Sequence, residues 1–383
     1  MKNTFRILLI TIIFLTTLSS QTLEERIQIG IRQIYNIEFE KAEKTFRQII
    51  SDYPTHPSGR FFLAMIDWWK ILLDLDNESY DEIFFQKLED VIFHCDKILS
   101  KDKNNINALF FKGGAIGFRG RLRAIRDSWL RAADDGRTAL PIVEYASKLD
   151  PSNQDVQLGF GIYNYYAAVI PEEFPYIKPL MIFFPKGDKQ KGISQLKKTA
   201  TNGKYAKYEA QYFLMTLYYN YEENFEEAKY YAENLTQLFP RNPSFQRWHG
   251  RILVRLNQWI KADSVFSNFL QKADSNYYGF NFLNGLREAN YYVGVHLKNQ
   301  QLLDSSKFHF QKCLDISNQI DREEDSGFKI NATIYLAQIA EEQNDIKKSI
   351  EYYRKVLDMR NWNNSHQLAE SNIKRLEIDY KNY

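Results

Sequence analysis

Four times along this chain a small residue is followed sixteen positions later by an aromatic one: Gly30 and Phe46, Gly250 and Phe266, Gly294 and Phe310, Ala337 and Tyr353. A second rule sets a small residue twelve positions before a proline, at Ala42 and Pro54, Ala139 and Pro151, Ala228 and Pro240. A fixed period is the mark of stacked repeats, and two neighbouring units superpose at a period of 34, matching Phe225 to Trp259 and Ala228 to Ala262. Each unit reads as two amphipathic helices of about 13 residues joined by a short polar turn. In the unit from Glu209 to Asn242, Tyr212, Met215 and Tyr219 stripe the first helix, and Phe225, Ala228, Ala232 and Leu235 the second. The small residue lets the second helix come close, and the aromatic fills the space beside it. Pro240 then ends the hairpin, because proline cannot continue a helix. No sustained period-2 alternation competes, so the expected fold class is all-α. The aromatic content of 15% is high, but its spacing is helical and is explained by rings inserted between hairpins.

That period, with those residue types, resembles the tetratricopeptide repeat (TPR). The resemblance implies a right-handed superhelical solenoid of antiparallel helix pairs, working as a protein-binding scaffold. About eight hairpins are expected, at roughly 23–54, 57–102, 105–151, 154–203, 205–240, 243–276, 280–320 and 327–361. The predicted organisation is a signal peptide at 1–20, a helical-repeat array at 21–362 with an irregular insertion at about 162–192, and a capping helix at 363–383. Lys374, Arg375, Glu377, Asp379 and Lys381 make that last helix charged enough to face water, as a terminal cap must. The run from Gly187-Asp188-Lys189-Gln190-Lys191-Gly192 through Leu196, with Tyr208 to Pro240, also looks like divergent TPR proteins related to the eukaryotic inclusion-body-clearance family. That likeness covers about half the chain and implies no enzymatic activity.

The N-terminus has the three parts of a secretory signal: Lys2 and Arg6, the apolar run Ile7 to Leu15, and the small-residue exit Thr16 to Ser20. Its uncharged stretch is short for a span of about 20 apolar residues. Export to the periplasm or cell envelope is expected, with an uncleaved membrane anchor as the alternative. The formal charge of +2 is carried by Lys2 and Arg6, so the mature chain is neutral. A neutral chain has no global electrostatic reason to seek nucleic acid.

Catalytic signatures are missing from the sequence. The six histidines (56, 94, 249, 296, 309, 366) form no His-Glu-x-x-His, and no GxSxG elbow, Walker loop or GxGxxG is found. The expectation is a non-enzymatic chain with no cofactor and no metal. Cys95 and Cys313, alone and far apart in apolar helical patterns, read as buried free thiols rather than a disulfide framework.

Two stretches stand out. From Lys112 to Arg137 there are six arginines, of which Arg119, Arg123 and Arg126 fall on one helical face. Their forked donors suit carboxylate or phosphate, beside glycines 113, 114, 117 and 120 that soften the helix. The more ordinary reading is a solvated face paired with Asp127, Asp134 and Asp135. From Ile162 to Gly192, prolines 171, 175, 179 and 185 interleave with Phe174, Tyr176, Met181, Phe183 and Phe184. Such a segment serves as a lid or a membrane-surface contact, or more usually tucks against its own solenoid. Together the arginine face and the insertion define an alternative function, a small-molecule, lipid or glycan pocket between the third and fourth helix pairs.

In the TPR family the concave groove is lined by the second, fifth, ninth and twelfth residues of each first helix. Carried onto the best-matching units, this implies a protein or peptide site at Asn220, Arg247, Arg251, Tyr291, Lys298, Gln338 and Glu341. In the first unit the same positions give Ile27, Ile31 and Ile34, too apolar for an open groove. That end is expected to be covered by another element or to dock a partner helix.

Overall fold

A computed structural model describes residues 21–181 and 184–381. The signal-peptide expectation at 1–20 falls outside them. Among the described residues all regular structure is helical, and consecutive helices pair as antiparallel hairpins. The first three pairs are α1 (Leu23–Tyr35) with α2 (Phe39–Asp52), α3 (Ser58–Leu73) with α4 (Asp81–Leu99), and α5 (Ile106–Ile125) with α6 (Trp129–Leu149). The fourth is interrupted: α7 (Val156–Glu173) packs on α9 (Lys189–Asn202), with a short α8 (Lys178–Met181) between them. The last four pairs are α10 (Lys207–Asn220) with α11 (Phe225–Leu238), α12 (Pro243–Arg255) with α13 (Trp259–Asp274), α14 (Leu283–Asn299) with α15 (Leu303–Ile320), and α16 (Gly327–Glu342) with α17 (Ile346–Leu357). The helix α18 (Ser365–Lys381) closes the array against α17. The chain is therefore an all-α solenoid of helix pairs.

Close packing explains the sixteen-residue rule. A Cβ built on Gly30 would lie 2.3 Å from the Phe46 ring, and one on Gly250 2.5 Å from Phe266. No side chain fits at either position while the aromatic partner stays fully buried. The caps follow the sequence locally. Thr22 and Glu25 form a reciprocal capping box on α1, and Asn105, Asp188, Asn242, Ser326 and Asp345 each accept a backbone N–H at a helix start. Six hairpin turns share one left-handed residue: Ile37, Asp127, Glu223, Asn257, Gln301 and Asn344, with φ between 47° and 61°. None is glycine, and Ile37 is β-branched, so the turn geometry is imposed by the helices it joins.

The irregular middle segment expected at about 162–192 is helical at both its ends, since α7 continues through Pro171 to Glu173 and α9 begins at Lys189. Pro171 lies in the last turn of α7, and the missing N–H did not stop the helix at the residue before it.

One hydrophobic cluster runs unbroken from Ile27 on α1 to Ile252 on α12. It is continuous because the first helices fold back across the middle of the array. Gln28 Nε2 donates to the Lys204 carbonyl at 2.6 Å, and Tyr205 donates to Glu24 at 2.7 Å. Asn242 Nδ2 donates to the Tyr35 carbonyl at 2.9 Å, and the Arg241 N–H to Asn36 Oδ1 at 3.2 Å. Trp69 on α3 meets Tyr212 on α10 and Phe245 on α12 with ring centroids 5.8 and 5.3 Å apart. Ile27, Ile31 and Ile34 are fully buried in this cluster, on the helix whose Glu24, Gln28 and Tyr35 reach Tyr205, Lys204 and Glu209.

Cys95 and Cys313 are buried and free, and burial pushes both thiols up to about 12. Thiols held protonated at neutral pH are poor nucleophiles.

Candidate binding groove

Closure of the N-terminal half determines which first helices still present a face. At its centre Tyr35 donates to Glu209 Oε2 at 2.9 Å, and Arg121 Nη1 donates to Glu209 Oε1 at 2.5 Å. The Arg121 guanidinium also lies 4.7 Å from the Trp68 ring and 4.3 Å from that of Phe213. Burial, and then the Glu209 carboxylate, push the Tyr35 hydroxyl well above its ordinary pKa. This is a neutralised, fully partnered knot where an open array would carry its groove.

The expected groove residues fall into distinct environments. Arg247 and Arg251 on α12 converge on Glu288 of α14, a carboxylate 0% exposed. Arg247 Nε donates to Glu288 Oε2 at 2.8 Å and Arg251 Nη2 to the same oxygen at 2.7 Å, while Arg251 Nε reaches Oε1. Burial alone would raise the Glu288 pKa, but the two guanidiniums outweigh it and hold the group below the ordinary carboxylate range. Both arginines are thus committed to holding a buried anion. Tyr291 is half-buried among Phe310, Phe328 and Tyr335, where burial raises its pKa. Lys298, near the end of α14, pairs with Glu342 at 2.8 Å, and Glu341 pairs with Arg375 of α18 at 2.8 Å. Gln338 on α16 is half-buried, and Asn220, the last residue of α10, is exposed. Of the expected residues, Tyr291 on α14 and Gln338 on α16 are partly exposed and outside any ion pair among the described residues.

The arginine stretch behaves differently from a free anion patch. Arg119 and Arg123 share Asp135, a carboxylate 1% exposed, at 2.5 and 2.7 Å, and Arg119 also reaches Glu89. Arg126 forks onto Asp81 at 2.6 and 3.0 Å and donates to the Leu75 carbonyl. All three guanidiniums are neutralised by carboxylates of their own chain. A cavity of about 360 Å³ does lie between the third and fourth helix pairs, but none of the three lines it. The arginine of this stretch that reaches Glu209 is Arg121, two positions from both Arg119 and Arg123 and off the predicted face.

Among the described residues no group of His, Cys, Asp and Glu side chains is placed to hold a metal ion, and no helix is long and apolar enough to cross a membrane. The helix order and the small-to-aromatic contacts define a solenoid of the tetratricopeptide type. No family model matches the chain, and no curated protein matches it in sequence. Solved structures similar to it are TPR-type folds. Yeast Tom70 is 9% identical over 94% of this chain and 90% of that one, with a TM-score of 0.37. Pseudomonas aeruginosa pilF is 11% identical over 68% and 96%, with a TM-score of 0.43. TTC0263, a thermophilic TPR protein in Thermus thermophilus, is 14% identical over 61% and 100%, with a TM-score of 0.36. Likeness at this level says nothing of what this chain binds.

Proposed function

We propose that this chain is a non-enzymatic extracytoplasmic scaffold, exported to the periplasm or cell envelope, that holds a protein or peptide segment against the inner face of α14 and α16. The observation that carries the reading is the partly exposed pair Tyr291 and Gln338, with Lys298 nearby in its ion pair with Glu342, beyond the point where the array is filled by its own first helices. Aromatic rings beside hydrogen-bonding and charged groups are what peptide capture uses. Gln338 has no hydrogen bond within the described residues, so its amide is available to a peptide backbone.

A photocrosslinking residue at position 338, used in the native cell envelope, tests the proposal. One dominant protein adduct is expected, lost in Lys298→Glu while the melting temperature holds. An adduct pattern that Lys298→Glu leaves unchanged would remove this face from consideration. Fractionation of cells expressing the full chain and a version lacking 1–20 tests the location. The full chain is expected in the envelope, and its recovery in the cytoplasm would contradict export.

A further inference from the structure

The cavity between the third and fourth helix pairs has a lining unlike the rest of the solenoid. α6 buries only Asp135, Ala139 and Ala146, and it meets α7 through a small apolar cluster in which Ile142, Val143 and Ala146 pack with Val156 and Phe160, so the polar cavity opens beside that contact. The space is lined by one face of each of three helices: Leu140, Glu144 and Ser147 at i, i+4 and i+7 on α6, Gln157, Phe160 and Asn164 at i, i+3 and i+7 on α7, and Lys191 and Gln195 on α9. Tyr163 and Lys186 complete it, with Tyr163 donating to the Pro185 carbonyl at 2.6 Å. At about 360 Å³ it sits within the range of small-molecule sites, roughly 300–1,000 Å³.

Its polar groups are linked but not exhausted. Asn164 Nδ2 donates to Gln195 Oε1 at 2.8 Å, and Gln195 Nε2 donates to Gln157 Oε1 at 3.1 Å. The relay leaves an amide carbonyl at Asn164 and an amide NH₂ at Gln157 with no partner within the described residues. An acceptor at one end and a donor at the other match the paired hydroxyls of a sugar ring. Phe160 and Tyr163 are half-buried and supply apolar ring surface for the C–H face of such a ring. Lys186 and Lys191 form no ion pair within the described residues, unlike nearby Lys189 and Lys197, which hold Glu222 and Glu227. Against two free ammoniums stands one carboxylate, Glu144, which with burial as the larger cause raises the Tyr163 pKa.

We infer that this cavity is a saccharide site that takes a carboxylate-bearing sugar, with the amide relay reading hydroxyls and Lys186 and Lys191 receiving the acid group. It is separate from the groove on α14 and α16, so either can fail alone.

Calorimetric titration of the full chain with digalacturonic acid, maltose and inorganic phosphate tests the inference. Saturable one-site binding of digalacturonic acid is expected, weakened about tenfold or more by Lys191→Glu and by Gln157→Ala and unchanged by Lys298→Glu. Melts that match the parent would show that the variants fold. No saturable binding would overturn the inference, as would maltose binding equally well, phosphate binding equally well, or retention of affinity in both cavity variants.

Discussion

Glu288→Ala is the sharpest stability test of the groove. The carboxylate is wholly buried and accepts three charge-assisted hydrogen bonds, two from Arg251 and one from Arg247. Those arginine side chains are only 21% and 26% exposed, so neither can swing fully into water once the anion is gone. Removing one partner of a buried ion cluster leaves uncompensated charge and costs about 3–5 kcal/mol. In urea unfolding followed by circular dichroism, the transition that includes α12 to α14 should move by that amount. Replacing all three residues together, Arg247→Met, Arg251→Met and Glu288→Leu, should recover most of the loss, because an apolar cluster of similar volume needs no counter-charge. A loss below about 1 kcal/mol for Glu288→Ala would refute the reasoning. It would mean the pair is solvated and screened, with both arginines free to meet a ligand. The same geometry bars charge reversal at Arg247 and Arg251 as a test of partner binding, since three carboxylates would then crowd one buried site.

Gly250→Ala places a methyl 2.5 Å from the Phe266 ring, and overpacking should cost about 1–3 kcal/mol in a thermal melt despite the better helix propensity of alanine. Tyr35→Phe removes the donor to Glu209 Oε2 in the closed interior, and chemical denaturation should report a loss of about 1–3 kcal/mol. Burial lowers the pKa of His56, His94, His249 and His309, so each stays neutral in the folded chain below the ordinary value of 6.5. The unfolded chain then binds more protons as pH falls through 6.5, and melting temperature should drop between pH 7 and pH 5. The Glu288 contribution is complete above the ordinary carboxylate value of 4.5 and is lost as pH falls through its lower folded value, a dependence Glu288→Gln should remove.

The repeat was legible because its signal is local. Gly30 and Phe46 lie sixteen positions apart and touch, so their spacing carries the hairpin geometry. Closure is long-range: Tyr35 meets Glu209 across 174 positions and Asn242 across 207, and no periodic pattern links them. Its one trace was Ile27, Ile31 and Ile34 at expected groove positions, apolar and fully buried in the common cluster. The arginine face was drawn by helical angle alone. Arg119 and Arg123 share Asp135, but Arg126 lies past the end of α5 and turns to Asp81, and the partners Glu89 and Asp81 sit on a different helix, α4. Glu288 was invisible for a related reason. A glutamate in mid-helix looks solvated until the arginines of the preceding repeat are placed beside it. The cavity on α6, α7 and α9 lies between the third and fourth helix pairs, where a pocket was expected, but its lining was not legible, because Gln157, Asn164 and Gln195 are ordinary helix-surface residues until the three helices meet.

Whether the array closes on itself is decided by an intramolecular crosslink between Asn36→Cys and Arg241→Cys, joined by a short bismaleimide. The natural thiols are buried and should stay unlabelled in the folded chain. The Arg241 N–H lies 3.2 Å from Asn36 Oδ1, so a crosslinked monomer should form in high yield in native buffer and vanish in urea. Separately labelled cysteines with no crosslink would mean an open array, a groove running past the first five helix pairs, and a binding face not confined to α14 and α16.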